Sequence, residues 1–417
     1  MARIVMKFGG TSVANIERIQ NVARHVQREV AAGHEVAVVV SAMSGVTNQL
    51  VAWCREACPE YDLREYDAIV ASGEQVTSGL LALALQNLGI AARSYQGWQI
   101  PLTTDSAHSA ARITGMDGDA IISGMRAGQV AVIAGFQGIG PENRIATLGR
   151  GGSDTSAVAV AAGVQADRCD IYTDVDGVYT TDPRIVPKAG RLERVAFEEM
   201  LEMASLGAKV LQVRSVELAM IHKVRVFVRS SFDAPDAPQV GPGGLPPGTL
   251  ICDEDEIVEQ QVVTGIAFSR DEAQVTLRGV QDKPGVAARV FGPLAEANIN
   301  VDMIVQNISD DGRTTDLTFT VPVADYDRAM KLLGSLESDL GFEKLDGANE
   351  VVKVSVVGMG MRSHAGVAAK AFSALAERGI NIRAIATSEI KISVLIDAAY
   401  TELAVRTLHS VYGLDKD

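Results

Sequence analysis

Aromatic side chains are scarce in this chain, since Phe, Tyr and Trp make up only 5% of its 417 residues. The core must therefore be built mainly from aliphatic side chains and alanine. The sequence also lacks a run of about 18 consecutive apolar residues, so we expect no membrane span. Its first residues are predicted to form a strand and not a signal peptide, which favours a cytoplasmic protein.

Cysteine and histidine are also few, with four and six residues respectively. Scattered cysteines are typical of proteins of the reducing cytosol. Cys54 and Cys58 lie one helical turn apart, but no histidine or second cysteine pair accompanies them. Two helix thiols are therefore favoured over a zinc site, and we expect no metal site built from side chains.

Positive charge is in deficit, with 38 Lys and Arg against 52 Asp and Glu and a net charge of -14. This balance argues against a nucleic acid or an anionic membrane as a partner. An anionic substrate would need a local basic pocket that works against the overall field.

Strands and helices alternate through residues 1–230, which predicts a mainly parallel sheet with helices on both faces. The chain length allows two or three domains. We expect a first domain over residues 1–233, a linker rich in Pro and Gly over residues 234–261, and two further domains over residues 262–345 and 346–417. Residues 97–115 look irregular.

The turn at residues 7–12 (KFGGTS) lies between a predicted strand and a predicted helix. Gly9 and Gly10 allow backbone N–H groups to approach an anion closely, and Lys7 adds a full positive charge. Thr11 or Ser12 is expected to cap the helix, whose positive end would face the same point. The pattern predicts a phosphate site, although it is neither of the common glycine-rich nucleotide motifs. A tight turn with a surface lysine is the simpler alternative.

Two further turns share this design. Residues 41–47 (SAMSGVT) follow a β-branched run, and small residues at the carboxyl end of a strand are where open α/β sheets place ligands. Residues 147–156 (TLGRGGSDTS) precede an alanine-rich helix. Ser153 or Asp154 is expected to be its N-cap, but a cap does not require three glycines and an arginine.

The tail contains an internal repeat. Residues 285–291 (GVAARVF) recur as 366–372 (GVAAKAF), and residues 294–301 (LAEANINV) recur as 375–382 (LAERGINI). Each copy has the order β-α-β-β-α, which predicts two ferredoxin-like βαββαβ modules. The last strand of the first copy is expected at residues 342–345, and the second copy runs out of chain. A spare strand at residues 262–268 could pair into either module.

In order, these motifs resemble those of the aspartate kinases: residues 7–12, 41–43, 72–74 (SGE), 149–154 (GRGGSD) and 173–178 (TDVDGV). The paired tail modules resemble the ACT domains that follow the kinase domain in this family. The resemblance implies an amino-acid-kinase fold and ATP-dependent phosphorylation of the L-aspartate side chain, the first step toward lysine, threonine and methionine. It also implies a monofunctional enzyme. Because no methionine lies between Met220 and Met303, we do not expect a regulatory subunit from an internal start.

The resemblance also assigns roles to residues. It implies that Arg150 binds a carboxylate of aspartate and that Glu74 binds its ammonium group, while Lys7 contacts the β- and γ-phosphates and Asp154 orients Lys7 or the magnesium-bound phosphates. The other expected substrate contacts are Ser41, Thr47, Gly152 and Ser153. The other expected ATP contacts are Phe8, Gly9, Gly10, Thr173, Asp174, Tyr179, Arg184 and Lys209. Magnesium would be held largely by ATP and water.

The ACT resemblance implies an amino-acid effector, lysine or threonine or both, and a homo-oligomer formed through these modules. The expected effector contacts in the first copy are Asp282, Gly285, Val286, Ala287, Asn300, Asp302 and Gln306. Those in the second copy are Ser363, His364, Val367, Asn381, Ile382 and Glu389.

Two alternatives to an aspartate kinase stay open from the sequence. One is another kinase of the same fold, acting on glutamate, acetylglutamate or a nucleoside phosphate. The other is a non-catalytic amino-acid sensor.

Overall fold

The computed structural model describes residues 1–207, 210–237, 240, 245–257, 261–308 and 313–415. These residues form two compact units. The first comprises residues 1–178, 191–205 and the described part of 209–258, and the second comprises residues 179–190, 206–207 and the described part of 259–417.

The first unit is built on an eight-stranded sheet with the order β10-β12-β11-β9-β1-β2-β6-β3. Six neighbouring strands, from β11 to β3, run parallel to one another, and β12 is antiparallel to β11. The strands are β1 (Arg3–Phe8), β2 (Glu35–Val40), β3 (Ala92–Tyr95), β6 (Val130–Ala134), β9 (Arg168–Thr173), β10 (Arg194–Ala196), β11 (Val226–Ser230) and β12 (Thr249–Cys252).

Helices separate the strands of this sheet. They are α1 (Ile16–Ala31), α2 (Val46–Ala57), α3 (Leu63–Val70), α4 (Ser72–Asn87), α5 (Asp119–Arg126), α6 (Gly152–Gly163), α7 (Phe197–Ser205) and α8 (Val213–His222). The central strands are buried almost throughout, as in β2, where Val36 to Val40 are all buried. Near-continuous β-branched runs of this kind are what a sheet covered on both faces requires.

A second, small sheet in this unit was not predicted. Its order is β5-β4-β7-β8, with β4 (Leu102–Thr104), β5 (Ile113–Met116), β7 (Gln137–Ile139) and β8 (Ile145–Thr147). The expectation that residues 97–115 are irregular is therefore wrong. Strands of three or four residues are too short to show an alternating pattern in the sequence.

The predicted linker at residues 234–261 also needs correction. Its residues Thr249–Cys252 form β12, which is fully buried and pairs with both β10 and β11. The Pro and Gly residues before this strand suggested a domain boundary, but the chain returns to the sheet after them.

The helical run Leu63–Asn87 is long and apolar enough to cross a membrane by length and composition, with half of its most apolar window buried in the fold. The run consists of α3 and α4, and its side chains Leu81 and Leu85 are fully buried. On the outer face, Leu80 and Leu83 line a groove of about 470 Å³ with residues of α1. Core helices of soluble proteins have the same composition, so this run is weak support for a membrane span.

The second unit contains two four-stranded antiparallel sheets, each covered by helices on one face. The first module is formed by β14 (Ala273–Gln281), α9 (Val286–Glu296), β15 (Asp302–Ile308), β16 (Thr314–Val321), α10 (Tyr326–Ser335), α11 (Glu337–Leu340) and β17 (Lys344–Ala348). The second module is formed by β13 (Gly265–Ser269), β18 (Val351–Val357), α12 (Val367–Glu377), β19 (Ile382–Thr387), β20 (Lys391–Asp397) and α13 (Thr401–Val411).

The spare strand β13 belongs to the second module, because it pairs antiparallel with β18 in the sheet order β13-β18-β20-β19. It occupies the edge position that β17 occupies in the first module, whose order is β15-β16-β14-β17. The assignment of residues 262–345 to the first module is therefore wrong at its start. The second module takes its fourth strand from before the first module.

The two modules share a small apolar cluster formed by Met303, Val351, Ala384 and Leu395. An ion triad lies beside these strands: Lys353 Nζ is 2.5 Å from Glu272 Oε1 and 2.6 Å from Asp302 Oδ2. Burial alone would lower the pKa of Lys353, but the two carboxylates raise it.

Candidate active site

Three of the predicted ligand-binding turns, at residues 7–12, 41–47 and 173–178, follow the neighbouring parallel strands β1, β2 and β9. The fourth, at residues 147–156, follows β8 of the small sheet, and its Ser153 lies beside the end of β6, where a Cβ atom at Gly135 would be 3.1 Å from Ser153 Cβ. In the register of the sheet, Phe8 at the end of β1 pairs with Val40 of β2 and Tyr172 of β9, and Val40 pairs with Ala134 of β6. The chain leaves β1 toward β2 on one side and reaches β9 on the other. This edge is therefore where an open α/β sheet binds ligands.

Lys7 and Asp154 join two of these turns. Lys7 Nζ lies 2.5 Å from Asp154 Oδ1, and both residues are less than a tenth exposed. A Cβ atom at Gly9 would lie 3.3 Å from Lys7 Nζ, so a side chain at this position would crowd the ammonium group. The pair places a positive charge beside glycine backbone, as phosphate binding requires.

The predicted helix caps at these turns are wrong. Residues 9–13 form a closed turn, in which the N–H groups of Ser12 and Val13 donate to the carbonyl of Gly9. Helix α1 begins only at Ile16, and its cap is Asn15, whose side chain accepts from the N–H of Arg18 at 2.9 Å. The positive end of α1 is therefore set back from Gly9 and Gly10.

Helix α6 supplies the helix N-terminus at this edge. Its N-cap is Gly151, not Ser153 or Asp154, and Asp154 lies in the first turn. An acidic residue in the first turn is stabilised by the helix dipole. Asp154 therefore faces Lys7 from the first turn of α6.

The turn that carries Arg150 requires its glycines. Gly149 and Gly151 have φ values of +76° and +68°, a region that L side chains rarely adopt. A Cβ atom at Gly151 would also lie 1.8 Å from the side chain of Gln212. Arg150 itself is exposed, so the turn presents a guanidinium group to solvent.

Glu74 lies in the first turn of α4 and is only 3% exposed. Its Oε1 accepts from the N–H of Ala42 at 2.9 Å. Its Oε2 is buried and has no hydrogen-bond partner within the part of the chain that the structure describes. Burial raises the pKa of Glu74 to about 7, although backbone N–H groups act to lower it. A buried carboxylate oxygen without a donor is suited to receive a cationic ligand.

The other predicted substrate residues lie on the same turns. Ser41 follows β2 and donates its N–H to the carbonyl of Phe8 at 3.1 Å, and Thr47 lies in the first turn of α2. Gly152 and Ser153 begin α6 and are buried. Phe8, predicted at the ATP site, has a fully buried ring that stacks on Tyr172 at 4.6 Å, so only its backbone remains for a ligand.

The predicted ATP residues divide between the two units. Thr173 and Asp174 lie at the end of β9 in the first unit, where their side chains form a hydrogen bond of 3.2 Å. Tyr179 and Arg184 belong to the second unit, in which Tyr179 packs against the core of the second module and Arg184 pairs with Asp182. Lys209 lies outside the described residues.

Family models match most of the chain. The amino acid kinase family matches residues 2–230, and ACT domains match residues 275–338 and 354–412. An aspartate kinase of Stutzerimonas stutzeri (strain A1501) is 53% identical over 415 residues, which covers 100% of this chain and 98% of the relative. The chain belongs to the aspartokinase family.

Solved aspartokinases have the same architecture. The crystal structure of E. coli aspartokinase III in complex with aspartate and ADP, in the R-state, is 28% identical, covers 98% of this chain and 99% of that chain, and has a TM-score of 0.77. The T-state of the same enzyme, in complex with lysine and aspartate, gives a TM-score of 0.74 at the same identity and coverage. The predicted amino-acid-kinase fold followed by two ACT modules is confirmed.

In this chain, the same turn occurs at the start of the first helix of each ACT module. Gly285 and Gly366 are the N-caps of α9 and α12, with φ values of +90° and +92°. Val286 and Val367, which follow them, are buried in the module cores, whereas Ala287 is exposed. Only the backbone of the two valines is therefore available to an effector.

Several other predicted effector residues already have partners. Asp302 pairs with Lys353, and Glu389 pairs with Arg362 at 3.2 Å. His364 Nδ1 lies 2.8 Å from the carbonyl of Gly360 and 3.2 Å from Ser363 Oγ. The backbone N–H of Asp282 donates to the carbonyl of Arg313. Asn300, Gln306 and Asn381 are exposed, and Ile382 begins β19 half-buried.

Among the described residues, no three His, Cys, Asp or Glu side chains are grouped so that they could hold a metal ion. Cys54, Cys169 and Cys252 are buried free thiols, and Cys58 is an exposed one.

A buried polar network beside the Arg150 turn was not predicted from the sequence. Asp67 of α3 contacts His108, Ser109 and Thr147. These residues come from three separate segments, so no local motif connects them. The available signal was an aspartate within an otherwise apolar helix stretch, residues 67–70 (DAIV), which predicts a buried carboxyl group that needs donors.

Proposed function

We propose that this chain transfers the γ-phosphoryl group of ATP to the side-chain carboxylate of L-aspartate, producing 4-phospho-L-aspartate and ADP. The reaction is the first step toward lysine, threonine and methionine. The observation that carries this proposal is the likeness to named aspartate kinases over the catalytic and the ACT parts together. The relative of known structure binds both aspartate and ADP.

The chemistry needs little covalent help from the protein. A carboxylate oxygen of aspartate attacks the γ-phosphorus, the bond from that phosphorus to the bridging oxygen breaks, and ADP leaves with the electron pair. Because the carboxylate is ionised at pH 7, no strong general base is required. Catalysis then depends on alignment and on positive charge at the transferring oxygens.

Lys7 supplies that charge in our proposal. The N–H group of Gly9 lies 3.4 Å from the carbonyl of Tyr172, so Gly10 is the better candidate for a backbone donor to phosphate. Asp154 holds Lys7 at the edge of the sheet and lies on the first turn of α6. Mg²⁺ would arrive with ATP, coordinated largely by phosphate and water oxygens.

Aspartate would be held at both charged ends of its backbone. Glu74 Oε2 receives the ammonium group, whose charge would also return the Glu74 pKa toward its ordinary value. Arg150 binds a carboxylate in bidentate geometry. Ser41, Thr47, Gly152 and Ser153 complete the substrate site from the neighbouring turns.

Nucleotide recognition would come from the end of β9. Thr173 and Asp174 are the described candidates in the first unit. The roles expected for Tyr179, Arg184 and Lys209 in ATP binding stay predictions.

We propose that the ACT modules bind the effector and join the chains of the oligomer. Lysine, threonine or both would bind at the repeated turns around Gly285 and Gly366, and the chains would associate through these modules in the cytoplasm. Lysine binding to the T-state of the E. coli relative supports an amino-acid effector. Control requires that the effector favour one of two global states.

A coupled assay for ADP formation tests the reaction. The full chain is supplied with Mg·ATP and, separately, with aspartate, glutamate, acetylglutamate and UMP. We expect turnover with aspartate at least about tenfold above the others, since a site built for paired charges rejects substrates that leave them unpaired. Turnover with another acceptor alone would establish a different kinase, and absence of turnover with all four would favour an amino-acid sensor.

The same assay tests regulation when lysine and threonine are added singly and together. Inhibition by either, or by both only in combination, is the expected result. Unchanged activity under all three conditions would refute feedback control by these amino acids.

A further inference from the structure

Asp67 is the most deeply buried carboxyl group near the Arg150 turn, with no exposed surface. Its Oδ1 accepts from the hydroxyl of Thr147 at 2.5 Å, and its Oδ2 lies 2.7 Å from Nδ1 of His108. The backbone N–H of Ser109 lies 3.1 Å from both oxygens. Both oxygens of the buried carboxyl group are therefore hydrogen-bonded.

The peptide at Ser109 is held in an uncommon conformation. Its φ is +67°, a region that residues other than glycine rarely adopt. Such a conformation persists where the surrounding contacts fix it. Both oxygens of Asp67 supply these contacts.

Asp67 thereby ties residues 108–111 to the segment that leads to Arg150. The N–H of Ala111 donates to the carbonyl of Thr147 at 2.9 Å. A Cβ atom at Gly149 would lie 3.2 Å from the carbonyl of Ser109. The position directly before Arg150 therefore leaves little room for a side chain beside Ser109.

A second clamp closes the same pair of segments. Arg214 donates to the carbonyl of Leu148 at 2.6 Å and to the carbonyl of Ala111 at 2.8 Å. In the segment before Arg150, the carboxyl group of Asp67 thus binds Thr147. The guanidinium group of Arg214 binds the next residue, Leu148. Arg150 itself is exposed, so the backbone before it determines where its guanidinium group can reach.

We propose that Asp67 is a positioning residue for substrate binding, which holds the Arg150 turn in the geometry that receives a carboxylate of the amino-acid substrate. This inference rests on the proposed function of Arg150. It predicts a loss confined to the aspartate side of the reaction, because the contacts of Asp67 involve the turn of Arg150 and none of the residues assigned to ATP.

Steady-state kinetics of the full chain test this inference with Asp67→Asn and a matched pair at Thr147. Thr147→Val keeps the shape of the side chain and removes the donor to Asp67, whereas Thr147→Ser keeps the donor. We expect Asp67→Asn and Thr147→Val to raise the KM for aspartate about tenfold or more, since displacements of about 1 Å produce losses of up to about 100-fold. The KM for ATP should change by less than roughly twofold, and Thr147→Ser should stay near the wild-type values.

Thr401→Val is the control for loss of a buried hydroxyl. Thr401 is 1% exposed in the second unit and donates to the carbonyl of Ala398 at 2.6 Å. This variant should keep the wild-type KM for both substrates. If Asp67→Asn does not fold, the comparison of Thr147→Val with Thr147→Ser decides the question alone.

Two results would overturn the inference. One is a wild-type KM for aspartate in Asp67→Asn and Thr147→Val. The other is an equal rise in the KM for both substrates with a lowered melting temperature, which indicates a purely structural role. Arg150→Ala separates this failure from failure of the proposed function: if it raises the KM for aspartate while the Asp67 and Thr147 variants do not, only the role of Asp67 is wrong. A wild-type chain without aspartate-dependent turnover overturns both.

Discussion

Lys7 Nζ lies 2.5 Å from Asp154 Oδ1, although one residue belongs to the first strand and the other to the sixth helix. The contact brings together two glycine-bearing turns that the sequence places far apart. It also fixes the ammonium group of Lys7 at the carboxyl edge of the sheet, where phosphate groups of a nucleotide bind in open α/β folds.

Replacement of this ammonium group should abolish most of the activity. We expect Lys7→Ala to lower kcat by about 10²- to 10³-fold, the usual effect of removing one electrostatic contact to a transition state. Circular dichroism should show a folded protein. Lys223→Ala, which removes an exposed lysine from the same unit, is the control and should retain wild-type turnover. Near-normal turnover in Lys7→Ala would remove Lys7 from the catalytic site.

Loss of the negative charge at Glu74 should affect aspartate and not ATP. We expect Glu74→Gln to raise the KM for aspartate about tenfold to a hundredfold, since hydrogen bonds to charged groups contribute about 1.5–3 kcal/mol. Measurement of both KM values checks this expectation. A change in the KM for ATP alone would show that Glu74 does not bind the amino acid.

The raised pKa of Glu74 predicts a pH dependence of activity. The free enzyme has this pKa at about 7, and only the ionised form can bind an ammonium group. The value of kcat/KM for aspartate, which reports free-enzyme groups, should therefore fall about tenfold per pH unit below pH 7. Glu74→Gln should flatten this slope, and an unchanged slope in the variant would assign the dependence to another group.

The same group predicts a pH dependence of stability. Because the folded-state pKa of about 7 lies above the unfolded value of 4.5, the contribution of Glu74 to stability is fully present below pH 4.5 and is lost as the pH rises through 7. Urea unfolding should show the stability of Glu74→Gln rising relative to that of the wild type between pH 5.5 and pH 8.5, by about 2 kcal/mol. Glu65→Gln, at an exposed position on α3, should show no such gain. A constant difference across the range would contradict the buried, unpaired state of Glu74.

The ion triad in the second unit should be necessary for stability. The side chain of Lys353 is 7% exposed, and Glu272 beside it is 8% exposed. Lys353→Met leaves a buried carboxylate without its partner, which should lower the free energy of unfolding by about 3–5 kcal/mol. Lys344→Met, which breaks a surface pair with Asp346, should leave the free energy of unfolding nearly unchanged, because exposed ion pairs contribute little to stability. Equal effects of the two substitutions would show that the triad contributes little to stability. A double variant with Lys353→Met and Glu272→Gln should be more stable than Lys353→Met alone, because it no longer buries an unpaired carboxylate.

Local sequence patterns predicted the parallel sheet and the turns at its edge, because each strand, turn and helix is encoded by contiguous residues. The internal repeat likewise predicted both ferredoxin-like modules. Cap positions were wrong at Thr11 and at Ser153, since Asn15 and Gly151 compete for the same role and their backbone conformations are not visible in the sequence.

Contacts between distant segments could not be predicted in this way. Whether β13 joins the first or the second module depends on which sheet has a free edge. The apolar residues of β13 could be buried in either pairing, so its sequence does not decide between them. The Asp67 network joins residues 67, 108 and 147, whose only shared property in the sequence is polarity. The position of Glu74 was found through a motif, but its unpaired buried oxygen became visible only in the fold.

A crystal structure of the full chain with ADP, Mg²⁺ and aspartate tests most directly whether Lys7, Glu74 and Arg150 face one active site. We expect the terminal phosphate of ADP within hydrogen-bonding distance of Lys7 Nζ, the ammonium group of aspartate on Glu74 and a carboxylate on Arg150. Phosphates bound away from the carboxyl edge of β1, or Lys7 and Arg150 opening onto separate surfaces with no ligand between them, would contradict this expectation.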